Sequence, residues 1–165
     1  MTRLVEVPTS FDDRTFDQFA SAYGQAADGE RMLFDAHAAE WASPYGLVGL
    51  LAAGEAAARK GGERPLLTAP ANPDVASYWA RAGFFREAGD LFEVHGKVPK
   101  LKPSVESDVL LPVTPVRAAE DVHAVVSTIQ QRASAILSSE LGLDPKATMG
   151  FAMALSESCQ NIVEH

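Results

Sequence analysis

A chain of 165 residues, 47% hydrophobic and 22% charged, is composed to fold as one ordinary domain or two small ones, not to remain a disordered tail. The formal charge of −8 divides as 8 Lys/Arg against 14 Asp/Glu in residues 1–96 and 6 against 8 in residues 97–165, with no basic stripe, so nucleic acid is not an expected partner. Cys159 is the one cysteine, which excludes an intrachain disulfide and fits a reducing compartment.

At the N-terminus, "MTRLVEVPTSFDD" lacks the apolar core of a signal peptide. "LVEVP" (4–8) alternates as a strand and is closed by Pro8. "FDDRTFDQFASAYG" then spaces Phe11, Phe16, Phe19, Ala20 and Tyr23 as a helix ending at Gly24, with Asp12 and Asp13 in its first turn. Residues 31–38 read as a buried strand. "SPYGLVGLLAAGEAAARKGG" opens with Ser43 as N-cap and Pro44 at the first helical position, and Gly61-Gly62 close it. Its apolar core is too short to span a bilayer, so neither a membrane partner nor a location outside the cytoplasm is expected.

"PLLTAP" (65–70) is a third strand. "NPDVASYWARAG" repeats the cap-then-proline start with Asn72 and Pro73 and stops at Gly83, and residues 90–96 give a last strand. Strand and helix therefore alternate over 1–96, which predicts a small α/β layer with helices packed on a sheet. The lysine- and proline-rich segment 97–108 is the expected linker. Beyond it come a strand over 109–116, a helix over 118–141, and a helix from 145 to the last residue, with Asp144 as N-cap and Pro145 next.

On the last helix, Ala152, Leu155, Cys159, Ile162 and Val163 share one side at about 100° per residue. Glu157 and Asn161 lie nearly opposite, with His165 at the flank, so they face either solvent or a ligand. A carboxylate one turn before a carboxamide can position a water or hydroxyl while the amide oxygen ligates magnesium, a cation that takes few protein groups.

"PVTPV", the long helix and "ALSESCQNIVEH" resemble the start of the histidine-kinase-like ATPase domain shared by gyrase, histidine kinases and anti-sigma-factor serine kinases, above all the last of these. The Glu-x-x-x-Asn element is that family's N-box. The resemblance covers about residues 109–165. It implies that Glu157 is the general base, that Asn161 ligates magnesium, and that Asn161 and His165 lie at the nucleotide. The family's Asp-x-Gly-x-Gly element and glycine-rich lid do not occur in these 165 residues, and no Walker-type loop replaces them. ATP and magnesium are therefore expected only of a completed domain, and no catalysis is expected of this chain.

The first 96 residues resemble the sulfate-transporter/anti-sigma-antagonist (STAS) fold in their order of strand, serine-containing turn, helix, strand and helix. That resemblance places Tyr45 at the usual phosphoacceptor position and leaves Ser43 as the candidate phosphorylation site, with helix capping as its competing role. It also implies a partner-switching signalling role with a sigma factor or an antagonist-type protein as partner. A second resemblance, of "ASYWARAGFFREAG" to the closing segment of N-acetyltransferases, gives the alternative of a small α/β enzyme. In that case the last helix is only packing.

The remaining candidates are weaker. His37, His95, His123 and His165 show no ligand spacing, so zinc is not expected. Asp35 and Glu40 suit a cleft without an evident partner, and Trp41 is an exposed aromatic suited to a protein contact. The apolar stripes of the two C-terminal helices are expected to pair with each other, cover the N-terminal module or form a homodimer.

Overall fold

The computed structural model describes residues 2–27, 29–100, 112–139 and 141–164. The chain divides into two compact units, Met1–Glu106 and Ser107–His165.

The N-terminal unit is α/β. Its main sheet holds β1 (Thr2–Glu6), β3 (Arg31–Asp35), β5 (Leu66–Thr68) and β6 (Glu93–His95) in that order, with every neighbouring pair parallel. The intervening helices are α1 (Asp13–Gly24), α2 (Pro44–Gly61), α3 (Pro73–Arg81) and α4 (Phe84–Leu91). Strands added in one direction by right-handed crossovers put their helices on one face. The packing agrees: α1 lies on β1, α2 on β3 and α4 on β6, while α3 packs on α4.

That covered face carries Val5, Met32, Phe34 and Leu67, all buried, together with the half-buried Val94. Phe34 meets Phe19 of α1 and, edge-on at a centroid distance of 5.8 Å, Phe92. Helix α2 approaches closely because it presents glycines. A Cβ on Gly46 would lie 2.5 Å from the Phe11 carbonyl oxygen, on Gly49 2.2 Å from Phe16, and on Gly54 2.1 Å from Phe92.

Each helix start has a local cause. Asp12 caps α1 by accepting from the backbone N–H of Arg14 (3.0 Å) and Thr15 (3.2 Å), and Thr15 Oγ1 accepts in return from the Asp12 N–H. Phe11 lies before this helix, in the two-residue strand β2 (Ser10–Phe11), so the expected helical set loses its first member. Ser43 Oγ accepts from Gly46 N–H at 3.1 Å, and Asn72 Oδ1 accepts from Asp74 N–H at 2.9 Å. Gly62 closes α2 in the left-handed conformation.

Two further differences from the sequence expectation concern this unit. Gly83, at φ 79°, does end α3, but α4 begins at the next residue, so 90–91 finish a helix and only Glu93–His95 form the strand. The strand expected over 31–38 ends at Asp35, whose Oδ1 accepts from His37 N–H at 3.0 Å and turns the chain.

In the C-terminal unit, α5 (Ala119–Ser139) and α6 (Pro145–Glu164) pack on each other around Val122 and Val126, with Val116 and Leu155 against them. Asp144 Oδ1 caps α6 through Ala147 N–H at 2.8 Å. The strand expected over 109–116 is not formed in its described part. Residues 112–117 are irregular, as Pro112 and Pro115 each withhold a ladder donor.

Candidate functional site

Ligands of open parallel sheets bind beyond the carboxyl ends of the strands. Here that edge is built by a detour of the chain. After Glu6 and Asp35, β1 and β3 part and then rejoin as the small parallel pair β2 and β4 (Trp41–Ala42), with Ser10 opposite Trp41 and Phe11 opposite Ala42. The Thr9 carbonyl oxygen accepts from both Glu40 N–H (2.8 Å) and Trp41 N–H (3.0 Å), and Phe11 O accepts from Ser43 N–H (2.9 Å). The His37 carbonyl ties this loop to the next one through Ala71 N–H at 3.0 Å.

The first cleft, of about 610 Å³, lies where β1 and β3 part. Glu6, Thr9, Gln18, Asp35 and His37 supply its polar lining, and Val7 and Phe19 are among its apolar walls. Glu6 and Asp35 are register partners on the same face of the sheet. Like charges directly opposite are unfavourable. Neither carboxylate has an ion-pair partner among the described residues, and Asp35 is relieved only by the His37 N–H.

The second cleft, of about 300 Å³, is lined by Glu40, Trp41, Asn72, Asp74, Val75 and Tyr78. It lies between the start of β4 and the first two turns of α3. Trp41 is 49% exposed, and partial burial pushes the Tyr78 phenol above its usual range. Asp35 and Glu40, which sequence spacing left unpaired, thus fall in different clefts.

The other face of the main sheet lies opposite Val5, Phe34 and Leu67. Leu4, Leu33 and Leu66 are register neighbours in one row across it; Leu4 is 51% exposed and the other two are half-buried. Polar groups frame them. The row itself ends in Glu93, register partner of Leu66, whose Oε2 accepts from Arg31 Nη2 at 2.6 Å on one side; this hydrogen bond holds the Glu93 carboxyl below its usual range against some desolvation. On the other side run Glu6, Asp35, Thr68 and His95 in register.

The residues singled out by the sequence lie elsewhere. Ser43 is half-buried, and its hydroxyl is engaged as the cap of α2. Glu157 and Asn161 are exposed on α6, opposite the buried Ala152 and half-buried Leu155. Neither cleft is lined by a residue of α6. His165, assigned to the nucleotide by resemblance, lies outside the described residues, and so does the side chain of Cys159.

Among the described residues no group of three His, Cys, Asp or Glu is placed to hold a metal ion. The space beside Gly46 and Gly49 is filled by Phe11 and Phe16.

Sequence reasoning missed the Glu6–Asp35 pair and the leucine row. Both depend on strand register, and the strands predicted over 4–8 and 31–38 ran past Glu6 and Asp35, the carboxylates at which β1 and β3 end. Among the described residues no helix is long and apolar enough to cross a membrane. No protein-family model, curated protein or solved structure matches the chain.

Proposed function

We propose that this chain is a regulatory protein-binding module of the partner-switching type, with a STAS-like N-terminal unit whose partner is a sigma factor or an antagonist-type protein. The observation that carries this reading is the leucine-bearing face of the parallel sheet. All-parallel sheets are stable when both faces are covered. Here the helices of the N-terminal unit described above pack on one face, and the other carries the Leu4–Leu33–Leu66 row, with Leu4 51% exposed, inside a charged frame. An apolar centre with a polar rim is the anatomy of a protein interface.

In a longer form carrying the Asp-x-Gly-x-Gly element and the lid, Glu157 would be the base and Asn161 the magnesium ligand of an ATPase or serine-kinase site. For the described residues the proposed activity is partner binding. Calorimetry with Mg-ATP and with candidate sigma-factor and antagonist proteins tests this. The expected outcome is protein binding that Leu4→Glu weakens at least tenfold, without low-micromolar nucleotide binding. Tight ATP binding, or partner binding that ignores Leu4→Glu, would overturn the reading.

A further inference from the structure

The second cleft has a composition that selects its occupant. Two of its walls are aromatic, Trp41 and Tyr78, and two of its polar groups are carboxylates, Glu40 and Asp74. Ring faces carry the negative lobe of the quadrupole and attract cations. The carboxylates add charge of the same sign. Neither has an ion-pair partner among the described residues.

The positive end of α3 opposes this only in part, as it amounts to about half a charge and Asp74 stands in its first turn. The backbone on both sides of the cleft is pinned: that of Trp41 by its pairing with Ser10 and the Thr9 carbonyl, and the first turn of α3 by Asn72. The buried Val75 is part of the lining beneath. At about 300 Å³ the space is at the small end of ligand pockets, and its walls bring aromatic and acidic groups together without a basic residue to meet a phosphate.

We propose that this cleft binds an alkylammonium or guanidinium group, the side-chain end of a lysine or arginine presented by the partner protein. The proposal rests on the protein-binding reading above and names the chemistry that partner must display.

The chain has two tryptophans, Trp41 half-exposed and Trp79 fully buried, so their indole N–H resonances give a reporter and an internal reference. The ¹⁵N-labelled protein is titrated with N-acetyl-lysine methylamide, its arginine analogue, the neutral norleucine analogue and tetramethylammonium. The expected result is a saturable shift of the Trp41 resonance by the lysine or arginine probe, with Trp79 unmoved and norleucine inert. Affinity should fall about tenfold in Glu40→Gln/Asp74→Asn. It should be unchanged in Asp17→Asn/Asp90→Asn, which removes the same charge from exposed helix positions.

No saturable shift, an equal shift by norleucine, or equal weakening in the control pair would overturn the proposal. Tighter binding of tetramethylammonium than of either side-chain probe would overturn its side-chain part and assign the cleft to a free quaternary amine. Probe binding without any partner-protein binding would uphold the cleft while removing the protein-binding reading, and the reverse result would remove the cleft alone.

Discussion

Ser43 holds the first turn of α2 through the Gly46 N–H, and its own N–H is held by Phe11 of β2. Removing the hydroxyl leaves a helix-terminal donor unpaired, so Ser43→Ala should cost about 1 kcal/mol, read as a lower urea midpoint. Ser43→Asp keeps an acceptor at the same place and should leave the midpoint near that of the wild type. A phosphate there would likewise meet the favourable end of the helix. Asp12 is the second such cap, and it titrates. The hydrogen bond from the Arg14 guanidinium, aided by the backbone N–H groups of Arg14 and Thr15, holds its carboxyl below the ordinary range while burial opposes. A folded pKa below the unfolded value of about 3.9 stabilises the fold above that pH, and the contribution is lost as pH falls through the folded value. The stability difference between wild type and Asp12→Asn should therefore be flat from about pH 5 to 7 and close below about pH 4. Arg14 is 80% exposed in its side chain, so added salt should shrink that difference.

Helix α2 shows what a periodic apolar run conceals. Gly49 and Gly54 read in sequence as weak points of a helix, yet each receives an aromatic ring from a neighbouring segment. Phe92 is 1% exposed and pinned against Phe34, so it cannot swing away from a new methyl at position 54. Gly54→Ala should destabilise by about 1–3 kcal/mol through overpacking. Gly89→Ala in α4, where a Cβ meets nothing within 4 Å, should stabilise by about 0.5–1 kcal/mol; urea denaturation of both variants checks the contrast. The same contrast explains what was readable beforehand. The starts at Ser43-Pro44, Asn72-Pro73 and Asp144-Pro145 were legible, because a cap and a proline act within one turn. Helix α4 was not, because Gly83 stops one helix and starts another with no spacer. The strands β2 and β4 have two residues each, too few for alternation to register. The clefts were illegible for a further reason: Glu6 and Asp35 are neighbours only through register, and Trp41 and Tyr78 only through the packing of a loop on a helix.

At the scale of the molecule, the two units differ sharply in how much core their described residues supply. The N-terminal unit buries Trp79, Phe11, Phe19, Phe34, Phe84 and Phe92 almost completely. The C-terminal unit has Val122, Val126 and Ala152 as its buried apolar residues among those described, while Leu141, Met149, Phe151 and Met153 stand exposed. With that much less core among the described residues, the helical pair is expected to open before the aromatic α/β layer, because burial is the main favourable contribution in both. The probes separate cleanly. Both tryptophans lie in the first unit, whereas α5 and α6, of 21 and 20 residues, carry close to half of the helical backbone. Urea unfolding followed by far-UV circular dichroism should therefore lose a large share of helix signal at low denaturant, with tryptophan fluorescence unchanged until a second transition. Coincident curves would mean that the units unfold as one cooperative block. If the partner covers the leucine row of the first unit, its addition should move the fluorescence transition to higher urea and leave the early helical loss in place, since a ligand stabilises only the state that binds it.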